Sequence, residues 1–295
     1  MSTVLVAGSS GLIGSVLTTS LRADGHDVRR LVRRPTARAD EVEWHPDVPD
    51  LPATALTGVD AVVCLTGVPL QPHPPTRAYK DRLYTSRIGP VGTLATAIAA
   101  SDHRPTFIAA SAVGYYGDKG EAVVDESAPP GTDYFAELCV KWEAAADPAR
   151  EAGARVVSLR TGIVLARDGG LIKTLRPLAR VGLAGPQGSG RQFLSWVTLT
   201  DEVAAIRFLL DSDISGPVNV TTPNAARNRE IVAAVAHAMH RPAVMRVPAF
   251  VLRPVLRDFA DALLGGARVL PRVLSQAGFE FRYPELEPAV RAVLG

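Results

Sequence analysis

The first stretch able to hold a ligand is Gly8-Ser9-Ser10-Gly11-Leu12-Ile13-Gly14, three glycines at three-residue spacing. It follows a β-branched run, Thr3 to Ala7, and leads into a helical pattern at about 12 to 23. Strand, glycine turn and helix in that order make an anion cradle. The first glycine permits the tight turn, the second removes a Cβ that would strike a pyrophosphate, and the third lets helix and strand pack closely. The helix N-terminus adds free N–H donors and the positive end of its dipole. Gly8, Ser10, Gly11, Leu12, Ile13 and Gly14 are therefore the expected contacts to a dinucleotide. The end of the second strand chooses its ribose. NAD sites carry an acid about 20 residues on, for the 2′-hydroxyl, and NADP sites carry arginine for the 2′-phosphate. Here the strand ends Leu31-Val32-Arg33-Arg34, with no acid between Asp27 and Asp40, so NADP held by Arg33 and Arg34 is expected.

Those residues need a scaffold. Thr3 to Ala7, Asp27 to Val32, Ala61 to Thr66, Thr106 to Ala110 and Arg155 to Leu159 each read as short buried strands. Helical patterns at about 12 to 23, 78 to 101 and 134 to 152 lie between them, the signature of a doubly wound parallel sheet. Beyond Leu159 the alternation breaks at Gly182 to Gly190, expected as a loop over a site. Thr200 to Leu210 reads as a helix with Thr200 as a possible cap, Gly216 to Val220 as a strand, and Val244 to Val247 as a short strand candidate. The expected division is residues 1–165 plus about 196–222 as the dinucleotide-binding domain, and about 166–195 plus 223–295 as a substrate lobe.

Composition excludes several classes of function. The 295 residues carry 32 Lys+Arg against 30 Asp+Glu, which gives no general reason to expect phosphate-backbone binding, and nucleic acid is not an expected partner. The two cysteines, Cys64 and Cys139, form no metal or disulfide framework, and a reducing, cytoplasmic setting is the natural expectation. No uncharged apolar run of 18 residues occurs. The apolar stretch Pro248 to Leu264 is broken by prolines and charges, so core-packed helices are expected there and no membrane contact. His237-x-x-His240 has no acid beside it, and no metal is expected.

The chain resembles the extended short-chain dehydrogenases/reductases, the superfamily of the nucleotide-sugar epimerases, and within it the atypical epimerase-like subfamily. The likeness rests on the glycine turn and on Asp60 to Gly67 (DAVVCLTG), Ser86-Arg87-Ile88-Gly89, Ser111 to Asp118 (SAVGYYGD), Phe135 to Glu143 (FAELCVKWE), Gly190 to Val197 (GRQFLSWV), Gly216 to Pro223 (GPVNVTTP) and Gly278 to Pro284 (GFEFRYP). It implies a Rossmann-type α/β fold, a doubly wound parallel sheet with a smaller C-terminal α/β lobe. It also implies that Leu65, Thr66 and Gly67 lie against the cofactor. Ser111 falls where the family orients its substrate, and an alignment from Tyr116-Gly117 puts Ala112 there instead. Arg191 is the candidate to pair with an anionic substrate, about three residues before the position where the epimerases carry such an arginine when Asp201 is aligned to the family's helix-opening Asp.

One departure bears on chemistry. The superfamily's acid/base is a helical Tyr with Lys four residues on, which places both on one face so that the ammonium lowers the phenol's pKa. Aligned on Glu143, those positions hold Phe135 and Cys139. The literal string Tyr115 to Lys119 passes through Gly117-Asp118 at a strand end, and Lys141 lies about 200° around the helix from position 139. Two functions stay open. One is an NADP-dependent oxidoreductase or epimerase-like enzyme acting on a small carbonyl or hydroxyl substrate through Ser111 and Tyr115 or Tyr116. The other is a non-catalytic NADP-binding protein.

Overall fold

The computed structural model describes residues 1–46, 51–70, 75–243, 245–257 and 259–295, with Ala53 described by its backbone. The short runs become strands, most of them buried on both faces, and the helical patterns become the crossovers that make them parallel. In chain order the first half gives β1 (Thr3–Ala7), α1 (Leu12–Ala23), β2 (Asp27–Val32), β3 (Glu41–Glu43) and β4 (Ala61–Cys64). It continues with α2 (Arg77–Ala100), β5 (Thr106–Ala112), β6 (Val123–Val124), α3 (Tyr134–Ala144), α4 (Asp147–Glu151) and β7 (Val156–Thr161). The pattern expected as one helix over 134 to 152 is thus two. Pro148 sits in the first turn of α4 and cannot donate the bond that would continue α3.

The second half gives β8 (Ile163–Leu165), α5 (Gly170–Arg180), β9 (Phe193–Leu194), β10 (Trp196–Thr198), α6 (Leu199–Leu210), β11 (Gly216–Val220) and β12 (Ala226–Arg227). Then follow α7 (Asn228–Ala238), α8 (Ala249–Leu256), α9 (Phe259–Leu264), β13 (Arg268–Val269), α10 (Arg272–Gln276) and α11 (Leu286–Leu294). Of the strand candidate at 244 to 247, Val244 lies outside the described residues and Val247 makes a single bridge to Gln187.

Seven strands form one parallel sheet in the order β11-β7-β5-β4-β1-β2-β3. The order reverses between β1 and β4, and ligands of such sheets sit in the crevice beyond the strand ends at that reversal. The residues placed there are Gly8 after β1 and Leu65 after β4. Two apolar layers flank the sheet. Leu5, Val62, Val91, Leu94, Ile98 and Phe107 meet on one face. Val4, Val6, Leu17, Ile108, Leu159 and Ile206 meet on the other. A third cluster, centred on the fully buried Trp196 with Ile172, Leu175, Ile231 and Val235, packs α5, α7 and α11 together.

α6 is capped by Thr198, whose hydroxyl accepts the Asp201 N–H at 3.0 Å, so the cap lies two residues before the expected Thr200. The Asp201 carboxylate is buried and accepts the N–H groups of Arg282 and Tyr283 at 2.8 and 3.1 Å, which ties the C-terminal segment to the start of α6. Only one side of the 248–264 stretch is core. Leu256, Phe259 and Ala260 pack on Leu83 and Leu138, whereas Phe250 is 76% exposed. Among the described residues no helix is long and apolar enough to cross a membrane.

Candidate cofactor and active site

The glycine turn is built by exclusion. Gly8 has φ +85°, and a Cβ there would lie 2.8 Å from the carbonyl carbon and oxygen of Leu65, so the turn is pressed against the end of β4. A Cβ on Gly14 would lie 2.2 Å from the Gly8 oxygen, which only glycine avoids. Ser10, Gly11 and Leu12 are exposed, while Ile13 reaches back into the core. α1 begins with no side-chain cap and no acid in its first turn, so its leading N–H groups and positive dipole end face outward uncompensated. This cradle fits a dinucleotide pyrophosphate. Beside it Leu65 and Thr66 are half-buried and Gly67 is exposed.

The structure separates the two arginines. Arg34 grips Glu41 through both terminal nitrogens, at 3.0 and 2.8 Å. Glu41 also accepts from Arg30 at 2.9 Å and from the Ala37 N–H at 2.8 Å. The Arg34 hydrogen bond, followed by that of Ala37, holds the Glu41 carboxyl down at about 2. Arg34 is thereby committed to joining β2 and β3. Arg33, one residue earlier, is exposed and makes no ion pair or side-chain hydrogen bond among the described residues.

At the relay position the side chains are protonless or unreactive. Cys139 is 3% exposed, and burial pushes its thiol up to about 12. The Phe135 ring packs on Phe259 of α9, 4.7 Å between centroids. Gly114 brings the strand end against this helix, for a Cβ there would lie 3.6 Å from Phe135 Cβ and 3.8 Å from Cys139 Sγ. Lys141 is exposed, its Nζ 5.3 Å from the centre of the Tyr84 ring.

Ser111 and Tyr116 are occupied elsewhere. The Ser111 hydroxyl, 3% exposed, donates to Glu143 Oε1 at 2.7 Å. Glu143 takes a bidentate pair from Arg160 at 2.8 and 2.9 Å. Arg160 Nη1 donates to the Tyr116 hydroxyl at 2.9 Å, and that hydroxyl donates to Asn219 Oδ1 at 2.7 Å. Tyr116 is 0% exposed, and burial pushes its phenol up to about 12. The pair expected to polarise a carbonyl instead belongs to a buried network joining β5, α3, β7 and β11. Tyr115 is half-buried, with the Arg160 guanidinium 3.5 Å from its ring centre. Of the two alignments, the one from Tyr116-Gly117 falls on Ala112, half-buried at the end of β5.

Other expected site residues lie apart. Arg191 is exposed, and its carbonyl accepts from Arg227, which is paired with Glu121 at 2.9 and 2.8 Å. The Gly182–Gly190 loop packs on the segment before α8, since a Cβ on Gly185 would lie 2.0 Å from the Met245 oxygen. A cavity of about 350 Å³ opens between the loop after Tyr116 and α8–α9, lined by Asp118, Lys119, Asp133, Arg253 and Asp261 among others, without Arg191. Among the described residues no three His, Cys, Asp or Glu side chains converge to hold a metal; His73 lies outside them. Glu143, Arg160 and Asp201, which tie this region together, are not singled out by any motif. Their signal was a charged residue on an otherwise apolar strand or helix face.

The model of the NAD dependent epimerase/dehydratase family matches residues 4–221, and a domain of unknown function (DUF1731) matches residues 247–293. An epimerase family protein of Mycobacterium tuberculosis is 45% identical over 289 residues, 97% of this chain and 96% of the relative. The crystal structure of human epimerase family protein SDR39U1 with NADPH superposes with a TM-score of 0.89 at 32% identity, covering 99% of each chain. The UDP-glucose 4-epimerase of Thermus thermophilus in complex with NAD shares the fold, with a TM-score of 0.76 at 20% identity, covering 99% of this chain and 97% of that one. With a family model spanning most of its length and relatives matched almost end to end, the chain belongs to the NAD dependent epimerase/dehydratase family.

Proposed function

We propose that the protein is an NADP-dependent oxidoreductase that acts on a small carbonyl or hydroxyl substrate without an enzyme-borne proton relay. The observation that carries the reading is the pairing of an open glycine cradle with one unpaired guanidinium, Arg33, at the end of β2. In this reading the first-turn N–H groups of α1 bind the pyrophosphate, Arg33 binds the 2′-phosphate, and the backbone of Leu65 to Gly67 walls the nicotinamide half. The human relative solved with NADPH supports the choice of coenzyme. NADPH supplies hydride to a carbonyl carbon when bound. The chain's own residues add position and exclude water, but Ala112, Phe135 and Cys139 move no proton. Absence of a general acid costs about 10²- to 10⁴-fold in rate, which leaves slow chemistry. Epimerisation of a sugar hydroxyl needs a base at that place and is the less supported branch. Arg191 remains the candidate for an anionic group on the substrate.

A second reading, a non-catalytic NADP-binding protein, is favoured by one contact: Phe259 covers Phe135 where a substrate would be turned over. The two are separated by following NADPH absorbance with quinones, ketones and sugar nucleotides. Consumption with any class supports the oxidoreductase. Tight retention of NADPH with no consumption across the panel overturns it in favour of the binder.

A further inference from the structure

α2 turns Leu83, Val91, Leu94 and Ile98 inward, and Arg87 lies within that stripe at 9% exposure. Its Nη1 donates to the Leu83 carbonyl at 3.2 Å and the Ser86 hydroxyl at 3.4 Å, and its Nη2 to the Val68 carbonyl at 3.0 Å. The guanidinium lies 5.2 Å from the Trp142 ring centre. It is pressed against Gly67, where a Cβ would lie 3.2 Å from Cζ. No carboxylate pairs with it among the described residues, in contrast to Arg160 and Arg30, each of which has one. The acidic groups in its field do not compensate it. Burial pushes the Tyr134 phenol and the Cys139 thiol up to about 12, so both are neutral. A buried charge is expensive unless it is paired, and this one stands behind the backbone expected to wall the nicotinamide.

We propose that Arg87 makes the site selective for the oxidation state of the coenzyme, favouring NADPH over NADP⁺. The proposal rests on the NADP-binding reading above. The two forms differ by one positive charge on the nicotinamide ring. A fixed cation without a carboxylate partner on the far side of Gly67 would disfavour an oxidised ring held against Leu65 to Gly67 and would leave the neutral reduced ring unaffected. The selectivity would expel oxidised product from an enzyme, or let a binder report the NADPH level.

Calorimetric titration of the full chain with NADPH and NADP⁺ at 0.15 M salt tests this, using the wild type, Arg87→Gln and Arg87→Lys. The wild type is expected to hold NADPH about tenfold or more tighter. Arg87→Gln is expected to bring the ratio to within about threefold, chiefly by strengthening NADP⁺, and Arg87→Lys to preserve it. A residue that only supports the loop would weaken both forms alike, so the ratio carries the test. Equal affinities in the wild type, or an unmoved ratio in Arg87→Gln, overturn the proposal alone. If Arg87→Gln does not fold, the wild-type ratio and Arg87→Lys decide it. Binding of neither form by the wild type overturns the coenzyme reading and this proposal with it.

Discussion

Glu143 holds three donors at once, so its replacement by glutamine is a sharp test of what Ser111 is for. The two carboxylate oxygens neutralise Arg160, which is 3% exposed, and accept the Ser111 hydroxyl. Glu143→Gln leaves a buried guanidinium without its anion, a loss of about 3–5 kcal/mol. Ser111→Ala removes one hydrogen bond to a charged group, about 1.5–3 kcal/mol. With unfolding entropy of roughly 2.1 cal/mol/K per residue, 295 residues convert these losses to Tm decreases of roughly 5–8 °C and 2–5 °C. Calorimetric melts and NADPH titration of both variants make the assay. The expected result is lower Tm for both with NADPH affinity unchanged in Ser111→Ala. If Ser111→Ala melts like the wild type and yet loses coenzyme or turnover, Ser111 faces the ligand and the network account is wrong.

Glu202 gives the chain a pH dependence of definite sign. It is 0% exposed, with Oε1 accepting from the Thr161 hydroxyl at 2.8 Å and Oε2 without a partner among the described residues, and burial pushes its carboxyl up to about 8. The folded chain keeps this proton where the unfolded chain releases it, so stability is intact below the ordinary carboxyl pKa and is lost as pH rises toward 8. Glu202→Gln therefore gains over the wild type by on the order of 4 kcal/mol at pH 8.5 and little at pH 4.5. A difference between their melts that does not grow with pH contradicts this. Cys139→Lys, which restores the family's lysine, places an ammonium at a 3% exposed position within the field of Arg87. It is expected to cost about 3 kcal/mol or more in denaturant unfolding; wild-type stability would mean that the position opens to solvent.

Most of the scaffold could be read from local pattern. β1 falls at the expected residues, because a buried parallel strand is a short apolar or β-branched run bounded by turns. The glycine turn was legible for the same reason, since each glycine answers a local steric need. That Phe135 and Cys139 stand where the resemblance aligns the superfamily's Tyr and Lys was also legible, since both are plain in the chain. What local pattern could not show depended on distant partners. Ser111 and Ala112 face opposite sides of β5, and only Glu143, 32 residues on, shows which side holds polar company. Tyr116 became core because Asn219 and Arg160 satisfy its hydroxyl, a pairing across 103 and 44 residues. Arg33 and Arg34 look alike in sequence, and Glu41 across the β2–β3 pairing takes only the second.

The central claim is that the cradle after β1 and the free Arg33 select NADP. Calorimetry of the wild type and Arg33→Ala with NADPH and NADH tests it most directly. A charge-assisted arginine–phosphate pair contributes about 1.5–3 kcal/mol, so the wild type should bind NADPH at least about tenfold tighter than NADH, and Arg33→Ala should erase that gap while leaving NADH binding unchanged. Equal affinities in the wild type, a gap that survives Arg33→Ala, or no heat with either coenzyme would contradict it.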